Sequence, residues 1–120
     1  MPRSLVVKLT AGADEAERVN QAFTVAASAV AMGAPVSLWL TGEAVWLAVP
    51  GRHDDLGLAL ATPLASLRAS VLDAGTLTVC SQCAARRELG EADLVPGARI
   101  AGAASFAEEV LGPDVQALVY

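Results

Sequence analysis

Residues 19–42 read VNQAFTVAASAVAMGAPVSLWLTG and carry no charge. The fold turns on whether this stretch is one membrane-spanning helix or two elements joined by a turn. Asn20, Gln21 and Ser28 interrupt it, its apolar residues are mainly small, and Gly33-Ala34-Pro35 would break a helix. It therefore reads as a helix ending at Gly33 followed by a fully buried strand, Val36–Leu40, and not as a membrane span.

Working outward, Ser4–Leu9 (SLVVKL) is a β-branched run followed by a loop of small residues, Thr10–Ala13. Asp14 with Glu17 three residues later predicts a capping-box start for the helix, whose apolar face is Val19, Ala22, Phe23, Ala26, Ala27 and Val30. Val25, Ala29 and Ala31 make its other side apolar too, which points to burial against a second subunit. Beyond Leu40, Thr41-Gly42-Glu43 is an exit loop and Ala44–Ala48 a short helix stopped by Pro50-Gly51. The polar segment Gly51–Ala61 reads as a mobile loop. Thr62 as cap, Pro63 in the first turn, an inward face of Leu64, Leu67, Val71 and Ala74, and Gly75 at the end predict a further helix. Thr76–Val79 is a strand that delivers Cys80 to its carboxyl end, and a helix spans about residues 82–89. Arg99-Ile100 is a brief strand. A last helix is capped by Ser105, turns Phe106, Val110 and Leu111 inward and stops at Gly112-Pro113, leaving Gln116–Tyr120 as the final strand.

Apolar strands alternating with helices imply a three-layer α/β domain over residues 1–120, its mostly parallel sheet covered on both faces and joined by right-handed crossovers. In such sheets ligands bind at the carboxyl ends of the strands. The segments expected there are Thr10–Ala13, Thr41–Glu43, Cys80–Cys83 and Gly102–Ser105.

Composition narrows the function classes. Thirteen acidic against eight basic residues give a net charge of −5, with the arginines scattered except at 86 and 87, which argues against nucleic acid as the ligand. No phosphate-loop or dinucleotide glycine pattern occurs, so no nucleotide cofactor is expected. Two cysteines, and an opening Met1-Pro2-Arg3-Ser4-Leu5 without an apolar signal core, lead to the expectation of a reducing cytoplasm.

Both cysteines lie in one stretch, Thr78-Val79-Cys80-Ser81-Gln82-Cys83-Ala84-Ala85-Arg86-Arg87. A thiol reacts as thiolate, and a helix amino terminus and nearby cations both favour that form. Cys80 stands where strand becomes helix, and Arg86 and Arg87 lie three and four residues beyond Cys83. The chemical reading is a thiolate that carries persulfide sulfur or exchanges disulfides, with the second thiol to resolve it. Beside it stands the structural reading, two small buried residues at a strand end. Zinc is weaker, because beyond this pair the chain offers only His53, and an intersubunit site alone would complete a metal sphere. A thioredoxin-like site is disfavoured, since its pair follows an early strand. His53 beside Asp54 reads as a solvated loop histidine, and Trp39 and Trp46 as core or subunit contacts.

Taken together, the amino-terminal strand, Trp39-Leu40-Thr41-Gly42-Glu43-Ala44-Val45, Val79-Cys80-Ser81-Gln82-Cys83 with arginine behind it, and Leu94-Val95-Pro96-Gly97-Ala98 resemble the DsrE/DsrF-like family of small sulfur-relay and related bacterial proteins. The resemblance implies a five-stranded flavodoxin-like sheet, a trimeric or hexameric homo-oligomer, and sulfur-donor and sulfur-acceptor protein partners. It also implies that Cys80 is the sulfur-accepting cysteine. Cys83 places the chain near the branch with two cysteines, and Glu88 and Leu89 intervene before Gly90 where the family pattern tends to put glycine directly after the arginine. The expectation is a sulfur carrier or sulfurtransferase-like protein with Cys80 as nucleophile, Cys83 as resolving or auxiliary thiol and Arg86 lowering the thiol pKa. The alternatives are a non-catalytic oligomeric binding or regulatory module, and a redox sensor using a Cys80–Cys83 disulfide.

Overall fold

A computed structural model describes residues 3–120; Met1 and Pro2, which open the stretch read for a signal core, lie outside the described residues. Among these residues β1 (Ser4–Leu9), β2 (Val36–Leu40), β3 (Thr76–Cys80), β4 (Arg99–Ala101) and β5 (Val115–Val119) form one sheet in the order β4-β3-β2-β1-β5. Every neighbouring pair is parallel. The helices are α1 (Ala16–Ala31), α2 (Leu64–Ala74), α3 (Ser81–Arg86) and α4 (Ala103–Val110), with short 3-10 segments at Ala13–Glu15, Gly42–Ala48 and Glu91–Asp93. The chain steps one way from β1 to β4 and then crosses the whole sheet to set β5 beside β1. Right-handed crossovers place α4, on the return path, on the opposite face from α1 and α2. The expected α/β sheet with helices on both faces is what the structure shows.

The two faces differ in chemistry because strand side chains alternate. Val7, Leu9, Val36, Leu38, Leu40, Leu77 and Val79 join Val19, Phe23, Leu64, Leu67 and Val71 in one aliphatic core under α1 and α2. The other face presents Val6 and Lys8, Ser37 and Trp39, Thr76, Thr78 and Cys80. Register lays Lys8 beside Trp39, Trp39 beside Thr78 and Thr78 beside Arg99, a polar row across four strands. α4 buries no residue against it and is held instead by a clamp. Glu109 accepts hydrogen bonds from Ser37 Oγ at 2.6 Å and the indole Nε1 of Trp39 at 3.1 Å, and pairs with Arg99, which also donates to Thr78 Oγ1 at 2.6 Å. Phe106 meets Trp39 edge to face, centroids 5.3 Å apart.

Several local expectations are corrected. α1 starts at Ala16 without a side-chain cap, because residues 13–15 first wind a 3-10 turn closed by Glu15 N–H to Gly12 O at 2.9 Å; Asp14 lies within that turn. Thr62 does not cap α2, since Pro63 sets the entry and the Ala65 N–H is taken by the Asp54 carbonyl at 2.9 Å. Gly102 precedes α4 and its carbonyl accepts from Ser105 N–H at 3.1 Å, which places Ser105 inside the first turn. Leu111, expected inward, is 83% exposed just past the end of α4. Ala74 is also exposed, and the inward position on α2 that sequence reading missed is Arg68, 6% exposed, donating to Leu47 O and Asp54, each at 2.9 Å. Asp54 accepts from Gly51 N–H as well, at 3.0 Å, so one carboxylate ties the polar segment after residue 50 to α2. Gly75 serves close approach: a Cβ there would stand 2.7 Å from the Val36 carbonyl oxygen. No helix among the described residues is long and apolar enough to cross a membrane.

Candidate functional site

The four loops expected to meet at the carboxyl edge do meet there. Thr41 donates from Nα and Oγ1 to Leu9 O, at 3.0 and 3.2 Å, and Thr10 from Nα and Oγ1 to Tyr120 O, at 3.0 and 2.8 Å. Two glycines permit the closeness. A Cβ on Gly12 would lie 2.7 Å from Glu43 Cβ, and Gly42 turns at φ +57°, where a side chain is strained.

Cys80 is the last residue of β3 and precedes α3; Cys83 lies in the first turn. Both thiols are free, Cys80 half-buried and Cys83 buried. Burial pushes the Cys83 thiol pKa up, but the Gly42 N–H, the Cys80 thiol and the charges of Arg86 and Arg87 outweigh it, so the pKa is held below its ordinary value. The helix contributes less than sequence suggested, because six residues carry little macrodipole. The largest lowering influence comes from the Gly42 N–H, just over forty residues upstream.

Arg86, the arginine singled out from sequence, is exposed and acts on Cys83 through its charge alone. Arg87 is built into the site: its Nε pairs with Glu43 at 2.8 Å and its Nη1 donates to Cys83 O at 3.0 Å. It thereby straps the loop that carries Gly42 to α3. α3 stops at Arg86, three residues early, because Glu88 turns at φ +56° and sends the Glu88 and Leu89 N–H groups back to Ala85 and Ala84.

Cys80 opens onto a cleft of about 60 Å³ lined also by Lys8, Trp39, Thr41, Ala103 and Phe106. Lys8 Nζ stands 5.1 Å from the centre of the Phe106 ring. A larger cavity of about 370 Å³ lies toward the opposite end of the sheet, between the amino ends of the strands, Arg99 and Glu109, and reaches neither cysteine. His53 stays with the segment anchored by Asp54, and Trp46 lies under Arg52, 3.9 Å from its ring centre. Among the described residues no three His, Cys, Asp or Glu side chains are grouped to hold a metal. Lys8 and Phe106 were missed as site residues, whereas Thr41, Gly42 and Arg87 lay in stretches placed at the site without a role of their own. Lys8 left a signal, as the one charge in the apolar run of β1.

The family model described as the DsrE/DsrF-like family matches residues 4–112. No curated protein matches the chain. Among solved structures, the ychN protein from E. coli superposes with a TM-score of 0.82 at 15% identity, over 98% of this chain and 99% of that one. MTH1491 from Methanobacterium thermoautotrophicum, described as a protein of unknown function, superposes with a TM-score of 0.73 at 10% identity, with coverage of 98% and 99%. At these identities the likeness is one of fold.

Proposed function

Because the chain belongs to the DsrE/DsrF-like family, we propose that it accepts and passes on persulfide sulfur through its cysteine pair. Cys80 is the accepting thiol and Cys83 the neighbouring thiol, its pKa held below the ordinary value, that manages its proton. One observation carries this reading: a half-buried thiol facing a cleft stands three residues before a buried one whose pKa is held down by Gly42, Cys80 and two arginines. As Cys80 Sγ attacks the outer sulfur of a donor persulfide, its proton moves to Cys83. The donor's S–S bond breaks, its electron pair leaves on the donor thiolate, and Cys83 returns the proton there. The sum is Cys80–SH + R–SSH → Cys80–SSH + R–SH, and no external oxidant is needed. The charges of Arg86 and Arg87 favour the anionic form of Cys83. Homo-oligomerisation as a trimer or hexamer, protein donors and acceptors of sulfur, and a reducing cytoplasmic setting belong to the same proposal. The apolar outer side of α1, ending at Met32, 83% exposed, supports the first of these.

The test is incubation with a persulfide donor followed by mass spectrometry of the wild type, Cys80→Ser and Cys83→Ser. A sulfur adduct on Cys80, lost in the first variant and formed more slowly in the second, is expected; no adduct at Cys80 in the wild type overturns the reading. The placement of two free thiols at the junction of β3 and α3 also favours a second reading, a reversible Cys80–Cys83 disulfide that senses oxidants. It predicts the loss of two titratable thiols on mild oxidation, abolished by Cys83→Ser.

A further inference from the structure

The cleft beside Cys80 holds a cation that the packing does not require. Lys8 lies on β1, flanked by β2 and β5, in a run otherwise built of Ser, Leu and Val. Its ammonium shares the cleft wall with Trp39, Thr41, Cys80 and Phe106. The ion pairs among the described residues are made by Arg18, Arg68, Arg87 and Arg99, none by Lys8. Glu109, the carboxylate of α4 on this face, is already committed to Ser37, Trp39 and Arg99. The Phe106 ring replaces part of the lost hydration but leaves the charge unneutralised. A half-buried, unpaired cation next to a sulfur nucleophile suits an anion. The cleft is small, about 60 Å³, which favours a compact anion.

Resting on the reading that Cys80 accepts sulfane sulfur, we propose that Lys8 makes this cleft a subsite for a small inorganic sulfur anion of the hydropolysulfide class, and that this anion is an immediate donor. For the smallest member the step is Cys80–SH + HSS⁻ → Cys80–SSH + HS⁻. Cys80 Sγ bonds to the protonated sulfur, the S–S bond of the ion breaks, and its electron pair stays on the departing sulfur. That sulfur takes the thiol proton, by way of Cys83, and leaves as HS⁻. The thiol sulfur is oxidised and the departing sulfur reduced, so the step closes without another reagent. Lys8 Nζ orients the ion on entry and steadies the charge that gathers on the departing atom.

Alkylation isolates the charge effect. Wild type, Lys8→Met and Lys8→Arg are each treated with anionic iodoacetate and neutral iodoacetamide, with Cys80 followed by peptide mass mapping. Sulfur uptake from sodium disulfide is followed by intact mass. Lys8→Met should lower the iodoacetate-to-iodoacetamide rate ratio about tenfold, the worth of one charge pair in a partly hydrated cleft, and should slow sulfur uptake; Lys8→Arg should retain most of both. An unchanged ratio in Lys8→Met, or both reagents slowing alike, overturns the subsite. Equal sulfur uptake by wild type and Lys8→Met overturns the subsite and leaves Cys80 as acceptor. A lowered ratio with no sulfur uptake from disulfide by the wild type overturns the hydropolysulfide donor, with Lys8 still selecting anions, while the persulfide-donor incubation alone decides whether Cys80 accepts sulfur.

Discussion

Gly12→Ala should raise the Cys83 pKa without touching either cysteine. Residue 12 has an ordinary extended backbone, φ −100° and ψ −165°, so the substitution adds no local strain of its own. The new Cβ would stand 2.7 Å from Glu43 Cβ and 3.1 Å from the Glu43 carbonyl oxygen, where non-bonded carbons keep about 3.5–4.0 Å. Because the obstacle is backbone, the 41–43 turn must retreat by about 1 Å. Gly42, adjacent to the collision, is the residue whose N–H does most to hold the Cys83 pKa down. A hydrogen bond to a charged acceptor contributes about 1.5–3 kcal/mol, so weakening this one should move the thiol up toward its ordinary value. The assay is the ultraviolet absorbance of thiolate against pH, with Cys83→Ser as baseline and near-ultraviolet circular dichroism to verify the fold. Gly102→Ala, whose Cβ would meet the Ser81 hydroxyl at 3.2 Å, serves as a comparison that leaves the Gly42 donor in place. A folded Gly12→Ala protein whose Cys83 titrates as in the wild type would refute the assignment of Gly42 as the controlling donor.

Other outcomes follow from the same geometry. Glu109→Ala strands the Trp39 indole N–H and the Ser37 hydroxyl; at about 1–3 kcal/mol for each unsatisfied buried group, urea unfolding should show a loss of about 2–4 kcal/mol, and a loss below about 1 kcal/mol would argue against the clamp. Burial pushes the Glu109 pKa up, but Ser37, Trp39 and Arg99 together hold it below the ordinary carboxylate value. Its stabilising contribution is present above the unfolded pKa and is lost as pH falls through the folded one, so Glu109→Ala should flatten the acid limb of the stability profile. The lowered Cys83 pKa acts in the same sense at higher pH: stability should rise from the folded pKa up to the unfolded value of about 8.5, and Cys83→Ala should remove that slope in denaturant midpoints measured against pH. Asp54→Ala leaves the buried Arg68 without its carboxylate and should cost at least about 2 kcal/mol by the same unfolding measurement. Arg68→Met should be milder, since the carboxylate it leaves behind, Asp54, is 43% exposed and can be hydrated, whereas Asp54→Ala strands a buried charge.

The strands were legible to within a residue because β-branched and apolar runs bounded by glycine and proline leave few alternatives; β1 and β2 fell at their observed limits. Helix starts were less legible. The Asp54 carbonyl takes the Ala65 N–H that Thr62 was expected to satisfy, and the carbonyls of Gly12 and Gly102 open the first turns two and three residues before Asp14 and Ser105; carbonyls leave no trace in residue type. The burial of Arg68 was hidden for a related reason, as both of its acceptors come from the irregular segment before α2. At the candidate site, the position of the cysteines followed from topology, since a parallel strand carries its last residue to the edge where ligands bind. The electrostatics did not, because the pKa of Cys83 depends on a glycine N–H from another loop and on an Arg87–Glu43 pair far apart in sequence. Sequence favoured Arg86 over Arg87, whereas the structure orders Arg87 and leaves Arg86 in solvent.

The unlike faces of the sheet also bear on how it assembles. Slipping a strand by one residue exchanges its two sides. In β1 such a slip would drive Lys8 toward the aliphatic cluster around Phe23 and Leu40; in β3 it would do the same to Thr76 and Thr78, and in β4 to Arg99. Each misaligned sheet is thus penalised by the very side chains that line the clamp and the cleft. The row works as an address label that tells each strand which side to show while pairing is still reversible. A variant with aliphatic residues at 8, 78 and 99 would lose more than its chemistry: its strands could zip together one step out of phase at little cost.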